Sequence, residues 1–122
     1  MEKSGNKNNI ATGKKGEALA AAYLQRKGFD ILASNWRHSH LEIDLIAQCG
    51  NTLHFIEVKT LQAGREAQPE RKVNNTKLMR LKRAAEAYLF QFPKWQFIQF
   101  DIVAITLLPN GEPEIFYIAD IA

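Results

Sequence analysis

Two carboxylates and an amine are grouped around one short turn. Gly50-Asn51 has the composition of a two-residue hairpin turn of the II′ kind. With that turn at the centre, Cys49 pairs with Thr52, Asp44 falls opposite Glu57, and Glu42 falls opposite Lys59. Period-two alternation puts those four charged residues on one face. Ile43, Leu45, Ala47, Ile56 and Val58 take the other face and belong in a core. Opposed residues have Cβ atoms about 4.5–5.5 Å apart, and like charges there repel. Such a pair calls for a bound cation or a raised pKa. Mg²⁺, or Mn²⁺ in its place, suits it, because Mg²⁺ is held by one or two carboxylates with waters and substrate phosphate filling the rest. The Lys59 ammonium can orient a hydroxide or meet charge building on phosphorus. The plainer reading is a solvated sheet face neutralised by cross-strand pairs. Leu53, Phe55 and Ile46 share the charged face, which argues that it is not simply wet.

The elements that must hold these residues can be read from periodicity. Residues 1–11 are polar and read as a flexible, frayed tail, with one domain over 12–122. A first helix should start with Thr12 as N-cap and stop at Gly28, a natural C′ residue. Leu19, Ala20, Tyr23, Leu24 and Lys27 form its stripe, and Glu17 sits at the stripe's edge. Strands follow at about 29–37, 41–49 and 52–60, and residues 61–74 read as a long exposed loop. A second helix spans about 75–92. Leu78, Leu81, Ala85, Tyr88, Leu89 and Phe92 make its apolar face, and Pro93 ends it. Two more strands cover about 97–107 and 114–118. The order α-β-β-β-α-β-β predicts an α/β domain. Its first three strands form an antiparallel meander, and a helical crossover sets the fourth strand parallel to the third, giving a mixed sheet flanked by helices.

The 122 residues fit one domain, and an apolar content of 46% supports a core of that size. No apolar run is long enough to span a membrane, and no apolar segment follows the first charges as in a signal peptide. Cys49 is the single cysteine, so no disulfide forms within the chain. These features predict a soluble cytoplasmic protein with no membrane partner. A formal charge of +3 is compatible with nucleic acid without requiring it. The cluster Lys72, Lys77, Arg80, Lys82 and Arg83, preceded by Arg65 and Arg71, reads on charge alone as a solvated face.

Asp44 followed by a turn, a strand and Glu57-Val58-Lys59 resembles the signature of the PD-(D/E)-x-K nucleases. Further blocks extend the resemblance. Gly13-x-x-Gly16-Glu17, Tyr23-Leu24, Asn35-Trp36-Arg37, Glu42-Ile43-Asp44-Leu45-Ile46-Ala47, Phe55-x-Glu57-Val58-Lys59-Thr60 and Phe100-Asp101 are similar, in order, to the YraN-like bacterial proteins. That poorly characterised family resembles Holliday-junction resolvases. The resemblance covers roughly residues 12–106. It implies a restriction-endonuclease-like fold and a Mg²⁺-dependent nuclease acting on DNA, branched or damaged DNA included. It also implies that Glu17, Asp44, Glu57 and Lys59 are catalytic, and that Asp44, Glu57 and the Val58 carbonyl are metal ligands. Lys77 would be a supporting cation. Three positions depart from the family pattern. Leu41 stands where Gly is usual before Glu42, Leu61 where Arg follows Thr60, and Gln99 where Arg precedes Phe100. The missing arginines imply a weaker phosphate grip.

Phosphate contacts are expected from Arg37, Arg65, Arg71, Lys72, Lys77, Arg80 and Arg83, with Lys77 near the site and Arg80 and Arg83 further out. Trp36 and Trp95 can stack bases, though packing is commoner for such residues. Asp101 suits a structural hydrogen-bond network, and Glu42 a salt bridge to Lys59 or an arginine. His38, His40 and His54 lack ligand spacing. Cys49 has no adjacent base to make it a nucleophile. The competing functions are a nuclease, a non-catalytic nucleic-acid-binding module of the same fold, and a protein-interaction domain using the basic helix; a homodimer is compatible with any of them.

Overall fold

In a computed structural model the backbone is described for residues 2–62 and 75–122, with side chains from Thr12 onward. The order is α1 (Glu2–Arg26), β1 (Asp30–His38), β2 (Leu41–Cys49), β3 (Thr52–Gln62), α2 (Asn75–Gln91), β4 (Phe97–Leu107) and β5 (Glu114–Ile118). The five strands form one sheet in chain order. Every neighbouring pair is antiparallel except β3–β4, which the α2 crossover makes parallel. This mixed sheet between two helices is the expected α/β order, consistent with a restriction-endonuclease-like fold. Among the described residues no helix is long and apolar enough to cross a membrane.

Two boundaries differ from expectation by two residues or more; the others agree to within one. The first helix starts at Glu2, not at Thr12, since residues 2–26 contain no proline to stop the helical backbone. β3 runs on to Gln62, taking two residues from the expected loop, because its parallel ladder with β4 continues to Gln62↔Leu107. At the far end of α1 the stop is where it was expected. Gly28 has φ +99°, its N–H donates to the Gln25 carbonyl, and the Phe29 N–H donates to the Leu24 carbonyl, both at 3.0 Å. That pair of bonds satisfies the last carbonyls of the helix.

Each face of the sheet has its own core. On one face α1 contributes Ala20 and Leu24, which pack with Phe29, Leu45, Ala47, Ile56, Val103 and Ile105. On the other, α2 contributes Leu81, Ala84, Ala85 and Tyr88, which pack with Ile43, Ile46, Leu53 and Phe55. Gly16 fixes the approach of α1: a Cβ there would collide with the Thr60 side chain on β3. Under the α1 side lies a buried polar knot. Asp101, fully buried, accepts hydrogen bonds from His54 Nδ1 (2.7 Å), Gln99 Nε2, the Tyr117 hydroxyl and the Asp120 N–H (2.9 Å each). Burial alone would raise the Asp101 pKa; these donors outweigh it and hold the carboxyl below its usual range. The structural role expected for Asp101 is thus the one it has.

Candidate functional site

The hairpin register is as the turn dictates near its tip. Cys49 pairs with Thr52, Gln48 with Leu53, and so on to Leu45 with Ile56. Gly50 has φ +62° and Asn51 does not share it, in keeping with a II′ turn. There the ladder ends. β2 stays paired to β1 as far as Leu41↔His38, and β3 to β4 as far as Gln62. The two central strands therefore part like a V just where Asp44 and Glu57 would have faced each other.

The parting leaves the Val58 N–H without a backbone acceptor, and Asp44 supplies one: Val58 N to Asp44 Oδ2 is 2.8 Å. The chain is irregular around this point. Asn35, between the paired residues Ser34 and Trp36 and so across from Asp44, has φ +53°. Ile43 packs against α2 while Leu45 packs toward α1, so strict alternation fails across Asp44. The expectation that Ile43 shares a face with Leu45 and Ala47 is corrected accordingly. So is the opposition of Glu42 and Lys59. Glu42 is the register partner of Arg37 on β1, 3.7 Å away, and the Arg37 side chain is 70% exposed. An exposed pair of this kind contributes little to stability.

Asp44, Glu57 and Glu42 line a cleft of about 200 Å³, with His40 and Leu41 at its rim and Lys77, Arg80 and Leu81 of α2 as the facing wall. Lys77 Nζ lies 3.7 Å from Glu57 Oε2. Burial, and after it the Glu57 charge, push Asp44 up from 3.8 to about 7; Glu17 and Glu42 push the same way, while the Val58 N–H pulls against them. Glu17 acts from α1, which Gly16 seats against Thr60, two residues past Val58. The site therefore gathers negative charge from α1, β2 and β3 onto one half-buried carboxyl.

A family profile described as the uncharacterised protein family UPF0102 matches residues 16–105. The chain belongs to that family. It is similar to a UPF0102 protein of Nitratidesulfovibrio vulgaris (strain DP4), 45% identical over 97 residues, or 79% of this chain and 72% of the relative. A UPF0102 protein of Mycolicibacterium vanbaalenii is 37% identical over 120 residues, 98% of this chain and 99% of that one. A third, from Rhodococcus opacus (strain B4), is 37% identical over 113 residues, 92% of this chain and 96% of that one. The matched span runs from Gly16 through the whole cleft to Ile105.

Of the other expected residues, Lys59 is half-buried and pairs with Ala104 in the parallel ladder. It stands between Val58 and Thr60, which meet α1, so alternation puts it on the α2 side with Glu57, although it does not line the cleft. Arg80 was expected as an outer contact and instead lines the cleft, because β2 lies under that flank of α2. Arg83 is exposed. Arg65, Arg71 and Lys72 lie outside the described residues. Trp36 is a packing residue, its ring 5.4 Å from that of Tyr88. His40, for which solvent exposure is the favoured reading over an approach to phosphate, lines the cleft, and Asn35, named only within a family block, stands across from Asp44. His40 had one signal, its place in the turn that opens the strand carrying Asp44.

Proposed function

We propose that the cleft hydrolyses phosphodiester bonds of DNA with the aid of Mg²⁺ or Mn²⁺. The observation that carries this reading is Asp44: a half-buried carboxyl, its pKa pushed up to about 7 by burial and then by Glu57, facing Lys77 and Arg80 across the cleft. A purely structural carboxylate gains nothing from three acidic neighbours. A cation would relieve that repulsion, and a phosphate would occupy the basic wall.

The donors fit such an ion. Among the described residues no three His, Cys, Asp or Glu side chains converge as a complete cage. Two carboxylates with a main-chain carbonyl match the small protein share of an Mg²⁺ shell. Asp44 and Glu57 would hold the ion, with the Val58 carbonyl as third donor; when bound it polarises the phosphate and acidifies a water. Asp44 is orientated for this by the Val58 N–H, which occupies Oδ2 and leaves the other oxygen for the cleft. Glu57 is steadied by Lys77. Lys77 and Arg80 would grip non-bridging phosphate oxygens, and Lys59, on the face of β3 that carries Glu57, would have to reach in from beyond the cleft lining to meet the charge that grows on phosphorus. Glu17 raises the affinity of Asp44 for a proton or a cation through its charge.

The test is a cleavage assay with full-length protein and Mg²⁺ or Mn²⁺ on single-stranded, duplex, flap and four-way DNA. Cleavage of at least one substrate, lost in Asp44→Asn, is the expected result. Binding of DNA without any cleavage would replace this reading with the non-catalytic module.

A further inference from the structure

A second concavity lies on the α2 side of the sheet, at the other end of the helix. Gln48 of β2, Tyr88, Gln91 and Phe92 of the helix end, and Lys94 and Trp95 of the following loop border an open hollow of about 640 Å³. Its rings are arranged for contact. The Tyr88 and Phe92 centroids are 4.7 Å apart, and Lys94 Nζ sits 4.9 Å over the Trp95 ring. Phe92 is 45% exposed, and Leu32, at the β1 irregularity on the rim, is 42% exposed. Large apolar groups left open inside a hollow, with the Gln91 amide, the Gln48 amide (whose Nε2 also donates to the Gly50 carbonyl at 3.0 Å) and one ammonium beside them, have the make-up of a ligand pocket.

Its placement relative to the cleft narrows the ligand. Lys77, Arg80 and Gln91 follow one flank of α2. Arg80 and Gln91 are separated by eleven residues, about 16 Å along a helix. On the floor, Asp44 and Gln48 are four strand residues apart, about 13 Å. A cleft with Lys77 and Arg80 along one wall and an aromatic hollow one short reach away have the make-up of the two parts of a single-strand binding groove. Amides pair with base edges as donor and acceptor at once, and rings stack on any base.

We propose that this hollow is a base-stacking subsite that accepts one unpaired nucleobase of the strand whose backbone lies in the cleft. The inference rests on the nucleic-acid reading of the cleft and names its substrate class: DNA with a single-stranded or extruded nucleotide close to the scissile phosphate.

The experiment compares two short DNA strands of equal length, one with bases and one built of abasic sugar-phosphate units, titrated into full-length protein with Ca²⁺ in place of Mg²⁺ or Mn²⁺ so that the cleft is neutralised without cleavage. The base-bearing strand should bind on the order of tenfold tighter and quench tryptophan emission. Trp95→Ala and Gln91→Ala should erase that preference, and Trp95→Phe should keep most of it. Gln91 is exposed, so its variant carries the test should Trp95→Ala fail to fold. Lys77→Ala and Arg80→Ala should weaken both strands alike and flatten the salt dependence. If the Trp95 and Gln91 variants retain the wild-type preference, the hollow is not a base site, and the cleft reading stands without it. Equal binding of both strands by the wild type assigns the hollow to another occupant, such as a protein side chain. If neither strand binds, the nucleic-acid reading of the cleft falls and this subsite falls with it.

Discussion

Replacing Asp44 with asparagine should make the protein more stable at pH 8 and leave it nearly unchanged at pH 3. In the folded chain Asp44 titrates at about 7 instead of 3.8, first because it is buried and then because of Glu57. Between those values the folded protein holds a proton that the unfolded chain has released. Stability therefore falls as pH rises across that window, and above about pH 7 the full cost is in place. At about 1.4 kcal/mol per tenfold in proton affinity, that cost reaches up to about 4 kcal/mol. Water entering the cleft screens part of it, so about 2–3 kcal/mol is the expected gain. The asparagine oxygen can still accept from the Val58 N–H at the same position. For a domain of this size the gain corresponds to a Tm higher by roughly 5–15 °C at pH 8. Thermal denaturation by circular dichroism at the two pH values measures it. Mn²⁺ should raise the wild-type Tm at pH 8, increasingly so from pH 6 to 8 as the proton leaves, and should not raise that of Asp44→Asn. A lower Tm for Asp44→Asn at pH 8, or the same shift at both pH values, would refute the view that this carboxyl is held at a cost for the sake of function.

Lys59→Met, which keeps the aliphatic stem, should leave the melting curve within a few degrees of wild type and cut the cleavage rate by on the order of 10²–10³; a rate within threefold of wild type removes Lys59 from the chemistry. Gly16→Ala drives a methyl group into the Thr60 side chain and should cost about 1–3 kcal/mol in a urea titration. Pairing it with Thr60→Gly should recover most of that loss, and no recovery would mean the collision is not the cause. Asp101→Ala strands His54, Tyr117 and the Asp120 N–H, and should destabilise by about 3–5 kcal/mol. Because the Asp101 pKa is held down, its contribution is present above the usual carboxylate range and fades as acid protonates the native carboxylate. The wild type should thus lose stability more steeply than Asp101→Ala in acid, as equilibrium unfolding below pH 4 would reveal.

Much of this molecule is determined locally and can be read without coordinates. Gly28 and Pro93 punctuate helices because one tolerates positive φ and the other cannot continue the ladder. Gly50-Asn51 sets a hairpin register that holds from Cys49↔Thr52 to Leu45↔Ile56, since a one-residue slip would turn the core outward. Helix α2 is long enough for a crossover, which makes β3 and β4 parallel. The presence of Asp44, Glu57 and Lys59 around the turn, and Lys77 at the start of α2, is equally a matter of spacing. What alternation could not contain is the point where it stops. β2 leaves β3 after Leu45 because each strand follows its other neighbour, and the twist of the two pairs draws them apart. That separation turns Asp44 inward to the Val58 N–H, sends Ile43 to the α2 core, and gives Glu42 to Arg37 instead of Lys59. Nor could a helical wheel place Arg80 in the cleft, since the wheel shows which residues share a flank but not which strand lies beneath it. The repulsion that raises the Asp44 pKa, exerted by residues as far apart as Glu17 and Glu57, exists only once α1, β2 and β3 are packed together.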